Sequence, residues 1–300
     1  MKHIFIANPV SGSRNAAELV SGEIKKLNKK FDCEMYVTKC AGDAENYIKE
    51  YLSSHSEKVR FYSCGGDGTL NETVNGVAPF EHGSFSVYPC GSGNDFVKVF
   101  GGKENFLDIE KLIGGKETKI DIMKVNDRYC INVCHFGFDS YVAKKMNEVR
   151  AKPAIGGKNA YTTGVVLGLL HAMKSKVTVF ADGRKLNGSG SLLLCTVANG
   201  QYVGGKYKCA PRANICDGLL DVCLVDPVSR LTFVKLVNAY ADGKHLDDPR
   251  FGSFVHYKQC RTVEITAERN FNISLDGEII PAPNAVIKII PNGINFIMPG

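Results

Sequence analysis

At 300 residues, 44% hydrophobic and 23% charged, with 31 Gly and 11 Pro, the chain has a globular composition and the length of two domains. A mainly disordered, collagenous or coiled-coil chain is excluded, and a chain of this size buries roughly three quarters of its unfolded surface without disulfide or metal staples. The balance of 37 basic and 31 acidic residues, net +6, is too mild and scattered to imply nucleic acid, but it suits an anionic membrane surface or a phosphate-bearing ligand.

The first 120 residues alternate strand and helix signals. HIFIA (3–7) is a short apolar strand closed by Asn8-Pro9. From Arg14 to Leu27, Ala17, Val20, Ile24 and Leu27 recur at helical steps. CEMYVT (33–38) is a second strand. Asp43 is expected to cap a helix through Leu52, with Glu45 and Glu50 on its wet side. VRFYSC (59–64) and FSVYP (85–89) are further strands, each followed by glycines and a helix, one over Thr69–Val77 and one starting at Asn94–Phe100. Such alternation predicts a parallel sheet with helices on its faces.

After residue 122 the pattern changes. IMKVN (122–126), RYCINVCHFGF (128–138), KVTVFA (176–181), SLLLCTVANG (191–200), LLDVCLVD (219–226), TVEITA (262–267) and FNISLDGE (271–278) read as strands punctuated by Gly and Asx turns, with a hairpin at Asp182-Gly183. Helical signals remain at Ser140–Val149, Thr162–Ser175 and Leu231–Ala241. The second half is therefore expected to be a mainly antiparallel β-sandwich with helices laid over it. The domains are expected at 1–122, with 289–300 returning to the first, and at 123–288, leaving a cleft between them as the default binding site.

The eleven cysteines contain no C-x-x-C pair, and Cys130-x-x-x-Cys134-His135 reads as a thiol-bearing core strand. The longest apolar stretch, Val165–Met173, is nine residues, well short of the about twenty that span a membrane. The opening has no signal-peptide core. A reduced, cytoplasmic protein is expected. His135 and His256 read as hydrogen-bonded strand residues. The apolar helix near residues 162–175, flanked by Lys152, Lys158, Lys174 and Lys176, is either an ordinary packed helix or an element that touches a membrane.

Three glycine-rich segments each follow a predicted strand: Asn8-Pro9-Val10-Ser11-Gly12-Ser13, Gly65-Gly66-Asp67-Gly68-Thr69 and Gly91-Ser92-Gly93-Asn94-Asp95. At the carboxyl ends of parallel strands, glycine lets backbone N–H groups approach a polyphosphate, and the following helix adds its N-terminal donors. Neither a Walker A loop nor a G-x-G-x-x-G fingerprint is present. The loops carry carboxylate instead, at Asp67 and Asp95, which would repel phosphate unless a cation such as Mg²⁺ intervenes. Asp95 also reads as a helix cap.

These motifs together resemble the diacylglycerol kinase catalytic domain family, in particular its stand-alone bacterial lipid kinases. The likeness extends through Gly65-Gly66-Asp67-Gly68-Thr69-Leu70-Asn71-Glu72, Thr38, Asp121, Pro211–Val222 and Leu275-Asp276-Gly277-Glu278. It implies a first domain of the NAD kinase and phosphofructokinase type that binds ATP, with a lipid alcohol in the interdomain cleft. Nucleotide contacts would come from Asn8, Pro9, Ser11 and Gly12, from Thr38, from Gly65, Gly66, Asp67, Gly68, Thr69, Leu70 and Asn71, and from Ser92. By the same likeness, Asp217 with the carbonyls of Asn214 and Leu219 would hold Mg²⁺, and Asp67, Asp95 and Asp121 would form a metal-linked acidic network. The base that takes the acceptor's proton would be Asp276 or Glu278, which on a regular strand would point the same way.

The activity implied is ATP- and Mg²⁺-dependent phosphorylation of diacylglycerol to phosphatidic acid, with transient docking on a membrane surface and no nucleic-acid partner. Another lipid alcohol (phosphatidylglycerol, a sphingoid base or a polyprenol), NAD kinase activity and a silent sensor are the alternatives. The oligomeric state is left open, a homodimer included.

Overall fold

The apolar run of residues 3–7 becomes the inner strand of a parallel sheet because both its faces are covered, which leaves Ile4, Phe5, Ile6 and Ala7 without solvent contact. In the computed structural model, which describes residues 1–12, 16–27, 30–150 and 160–300, the chain begins β1 (Lys2–Ala7), α1 (Ala16–Leu27), β2 (Asp32–Val37), α2 (Asp43–Ser54), β3 (Val59–Gly65), α3 (Asp67–Val77) and β4 (Gly83–Pro89). All four strands are parallel, in the order β2-β1-β3-β4. Their carboxyl ends therefore lie along one edge of the sheet and deliver the three glycine loops there. Of the first loop, Ser13 lies outside the described residues, as do Arg14, Lys152 and Lys158.

A short α4 (Ile109–Ile113) leads into β5 (Lys116–Val125), β6 (Arg128–Cys130), β7 (Val133–Gly137), α5 (Phe138–Arg150) and α6 (Ala160–His171). Then follow β8 (Val177–Ala181), β9 (Arg184–Lys185), β10 (Leu194–Ala198), β11 (Leu220–Val225), α7 (Arg230–Ala241), β12 (Val255–Cys260), β13 (Thr262–Leu275) and β14 (Glu278–Met298). The strands β12-β11-β10-β7-β13-β14 pair antiparallel throughout. The fold is thus an α/β lobe with a parallel sheet and a mainly antiparallel β-sandwich lobe. Strand β14 runs through both. It starts as the hairpin partner of β13 and ends with Phe296 paired in parallel with Phe85 of β4. One apolar core gathers the first lobe with Ile294 and Phe296, and a second gathers Phe136, Val197, Val222, Ile265 and Ile287.

Several local expectations are corrected. The cap of α2 is Gly42, not Asp43, whose carboxylate instead accepts from Lys39 N at 2.8 Å and Tyr36 Oη at 3.1 Å. The free amides of α2 are served from another helix: Glu72 of α3 accepts from Gly42 N and Ala44 N at 2.8 and 3.1 Å. Glu45 is not on the wet side, because Lys49 and Arg128 pair with it at 2.6 and 2.9 Å. The helix expected from Asn94 is a single 3-10 turn over Phe96–Phe100, ended by Gly101 and Gly102 at φ +89° and +108°. The expected strand 128–138 is broken at Ile131-Asn132, whose amides leave the ladder for the Asp276 carboxylate. Strand character at 116–121, 255–260 and 279–298 has no counterpart in the strand signals of the sequence.

The carboxylate of Glu72 supplies a helix cap from outside the helix. Glu72→Ala should therefore destabilise the fold by about 2 kcal/mol, the scale of a lost cap plus a charge-assisted hydrogen bond. Glu72→Gln should recover part of the loss, as read by chemical denaturation.

Candidate active site

The three glycine loops meet because residues without Cβ let the backbones touch. A Cβ on Gly91 would lie 2.4 Å from Gly66 Cα, and one on Gly12, itself at φ +72°, would lie 2.0 Å from Cys90 O. Asp67, at the first position of α3, locks the second loop to the third by accepting from Asn94 N at 3.0 Å and Asp95 N at 2.8 Å. Burial, and next the Asp95 and Asp276 charges, push its carboxyl up to about 6. Asn8 donates to Thr69 Oγ1 at 3.1 Å and so ties the first loop to α3.

Beside these loops a cavity of about 580 Å³ runs into the second lobe. Ser11, Gly12, Gly66, Asp67, Gly68, Leu70 and Ser92 line one end, whereas Phe138, Val142, Val165, Phe233, Leu236 and Val237 line the other. Asn8, Pro9, Thr38, Gly65, Thr69 and Asn71 stand behind this lining rather than in it. Thr38 bonds Ala7 O through its amide at 3.0 Å, and Leu70 N closes the first turn of α3 on Gly66 O. Asp95 ties the lobes together. It accepts from Gly205 N at 3.0 Å and pairs with Lys98, which in turn donates to Gly205 O at 2.6 Å.

The two carboxylates of the Leu275-Asp276-Gly277-Glu278 segment are not equivalent. Leu275 pairs with Glu278, so Asp276-Gly277 is a two-residue hairpin turn with both residues at positive φ, +50° and +97°. This turn, rather than a regular strand, directs Asp276 inward. Its oxygens accept from Ile131 N, Asn132 N and Val133 N at 2.9, 3.1 and 2.9 Å and from Cys130 Sγ at 3.3 Å. Burial raises its pKa, and the same amides pull it back toward the charged form. Glu278 is exposed to the cavity, its carboxylate makes no hydrogen bond or ion pair among the described residues, and its Oε1 lies 3.2 Å from where a Cβ on Gly68 would sit.

Asp121 is placed apart from Asp67 and Asp95, with which it shares no hydrogen bond. It accepts from Gly218 N at 2.7 Å and Asn292 N at 2.8 Å, which pins the loop that carries Asn214, Asp217 and Leu219. There Asp217 accepts from Leu219 N at 3.0 Å. Among the described residues no group of three His, Cys, Asp or Glu side chains is arranged to hold a metal. His256 bonds Asp226 at 2.7 Å, whereas His135 lines the cavity with its Nδ1 unpartnered among the described residues. His135, Asp139 and the tie made by Lys98 were not singled out as functional in the sequence. Among them, only the spacing of Lys98 three residues after Asp95 carried a local signal.

Comparison with known proteins agrees with this arrangement. The diacylglycerol kinase catalytic domain model matches residues 2–125, and the YegS C-terminal NAD kinase beta sandwich-like domain model matches residues 132–298. The chain is 28% identical over 278 residues to a diacylglycerol kinase of Bacillus subtilis strain 168, covering 91% of this chain and 88% of the relative. It is 29% identical over 268 residues to a "Probable lipid kinase YegS-like" of Shewanella frigidimarina, at 86% and 82% coverage. A diacylglycerol kinase crystal structure from Bacillus anthracis strain Sterne shares the fold at TM-score 0.71 and 22% identity, covering 99% of this chain and 96% of the other. A second structure from that organism gives 0.76 and 25% over the same extents. The chain belongs to the diacylglycerol kinase catalytic domain family with a YegS-type C-terminal domain, and it is a lipid kinase.

The raised carboxyl of Asp67 makes a measurable signature. Its proton binds more tightly in the folded than in the unfolded state, so its contribution to stability is present at low pH and lost as pH rises from about 4 to about 6, by about 3 kcal/mol. Thermal melts of the nucleotide-free protein between pH 4 and 7 should show Asp67→Asn gaining on the native protein across that window, with the difference flat above it.

Proposed function

We propose that the enzyme transfers the γ-phosphoryl group of ATP, with Mg²⁺, to the primary hydroxyl of a lipid alcohol in the cleft. Diacylglycerol is the simplest acceptor and phosphatidic acid the product. One observation carries this reading: Glu278 presents an unpaired carboxylate beside Gly68, where the phosphate-type loops and the apolar chamber meet. Phosphoryl transfer needs little covalent chemistry from the protein beyond position, charge stabilisation and a proton acceptor. In this scheme the amides of the glycine loops hold the phosphates, Asp67 fixes two of those loops, and Glu278 takes the hydroxyl proton as the acceptor oxygen attacks. Asp276 is a positioning residue, since its oxygens already serve four donors. Asp95 with Lys98 holds the lobe carrying the lipid against the lobe carrying the nucleotide. We assign the nucleotide to residues 1–122 with 289–300, and the lipid to 123–288.

The segment at Asn214, Asp217 and Leu219 offers one carboxylate and two carbonyls, a hard-oxygen set that suits Mg²⁺ completed by waters. Bound there, the ion supplies positive charge and order to a loop that Asp121 already anchors.

Helices α6 and α7 wall the cavity with Val165, Phe233, Leu236 and Val237, and their other faces leave Val166, Leu170, Leu231 and Val234 between 51% and 63% exposed. Arg230 joins the two helices by donating to the carbonyls of Leu169 and Leu170. With Lys174 and Lys235 exposed nearby in sequence, this apolar rim suits an anionic membrane surface from which the lipid enters. No helix among the described residues is long and apolar enough to cross a membrane.

The test is γ-labelled ATP and Mg²⁺ with the purified protein and a lipid extract in micelles, with NAD offered separately. Label is expected in an organic-extractable product; label only in NAD would overturn the lipid reading. Glu278→Gln should lower kcat by about 10²–10⁴ with an unchanged melting temperature, the range expected for loss of a general base. Asp276→Ala should lower both, because four donors lose their acceptor. Leu170→Asp with Leu231→Asp should weaken co-sedimentation with anionic vesicles while leaving turnover of a short-chain, micelle-free acceptor intact.

A further inference from the structure

The lipid end of the cleft is not uniformly apolar. Ser274 of β13, His135 of β7 and Thr196 of β10 are direct cross-strand partners, Ser274 with His135 and His135 with Thr196. Paired residues share one face of a sheet. The residues that alternate with them, including Leu275, Phe136 and Val197, fill the sandwich core on the other face. The polar row therefore faces the side where His135 lines the cavity. All three residues are at least 96% buried, and among the described residues Ser274 Oγ and His135 Nδ1 have no hydrogen-bond partner. From α7, Tyr240 lines the same cavity, with its hydroxyl within hydrogen-bonding reach of the Thr196 side chain.

Asp139 completes the set from the first turn of α5. It lines the cavity and makes no hydrogen bond or ion pair with the described residues, although Tyr240 lies within its electrostatic reach. Burial pushes its carboxyl up to about 7, while the start of a helix favours a negative charge. Buried polar atoms are almost always paired, so the unpaired His135 imidazole nitrogen and the Asp139 carboxylate, both on the wall of one cavity, mark groups waiting for a ligand. Along β13 the row lies two residues from Asp276, roughly 7 Å, a separation that the polar backbone of one lipid can bridge.

We propose that Asp139, with His135 and Tyr240 on the same wall, forms a second polar subsite that binds a hydrogen-bond donor of the lipid other than the hydroxyl being phosphorylated. The carboxylate needs a donor, and the Tyr240 hydroxyl and the imidazole can satisfy that group's remaining valences. The favoured acceptor class is a lipid alcohol with a free hydroxyl or ammonium close to its acceptor hydroxyl. A diacylglycerol offers only ester oxygens there. This inference rests on the lipid-kinase reading above and narrows its substrate.

The experiment compares kcat/KM for diacylglycerol, monoacylglycerol and a long-chain amino alcohol of matched chain length, in the native protein, Asp139→Asn and Asp139→Leu. The native protein should prefer a donor-bearing lipid over diacylglycerol by about tenfold or more, as sites built to hydrogen-bond a substrate group do. Asp139→Leu should bring the ratio to near parity. Asp139→Asn should keep a preference for a hydroxyl and lose one for an ammonium, which separates the two sources. Both variants should melt at or above the native temperature, because a half-buried carboxylate without a counter-charge is removed. A retained preference in Asp139→Leu, or a uniform loss across acceptors with a lowered melting temperature, would overturn the subsite. Turnover of diacylglycerol alone would overturn it while leaving the kinase reading intact, and labelling of no lipid at all would end both.

Discussion

The structure depends on one carboxylate gathering consecutive backbone amides. Asp276 sits in a left-handed turn conformation and takes in the N–H groups of Ile131, Asn132 and Val133. That interruption separates β6 from β7, just where the chain passes from the first lobe into the second. It also fixes the tip of the β13–β14 hairpin, from which Glu278 faces the glycine loops. A buried carboxylate so bonded is costly to remove, so it makes a rigid mount for Glu278, two residues away. The first residues of β14 belong to this mount and its last belong to the first lobe, so one strand connects the proposed base, Glu278, to the sheet edge that bears the loops.

On either side of that mount the cleft changes character. Backbone amides, Asp67 and Ser92 face the end where a polyphosphate would lie; aliphatic and aromatic side chains of α5, α6 and α7 face the other. The helices that wall the apolar end also present apolar side chains outward, Val166, Leu170, Leu231 and Val234. Polar groups left without partners at this end, and the raised carboxyl of Asp67 at the other, are both departures from maximal stability of the kind that sites with a function retain.

Much of this was legible in the sequence. Apolar runs followed by glycines gave the parallel strands and the three loops, since a loop that must approach phosphate can afford no Cβ. Asx-Gly turns announced the antiparallel lobe. What stayed hidden depends on partners distant along the chain. Asp43 has the residue type of a cap, but Glu72, 30 residues from Gly42, does the capping. Asp276 and Glu278 look alike at two-residue spacing until the turn sends one into a nest of amides and leaves the other free. The break at Ile131-Asn132 has no local cause, and neither periodicity nor composition distinguishes Asp139 or His135 from ordinary strand and helix residues. Strand β14 is masked by Pro281, Pro291 and Gly293, which interrupt its apolar pattern although its pairing with β5 and β13 continues around them.

The most direct measurement is a crystal structure with a non-hydrolysable ATP analogue and Mg²⁺. The account predicts the terminal phosphate among Gly66, Gly68 and Ser92, with the Glu278 carboxylate facing it from the apolar side and Asp276 still bonded to residues 131–133. A nucleotide whose phosphates lie away from Gly66–Gly68, or a Glu278 turned out of the cleft in that complex, would contradict it.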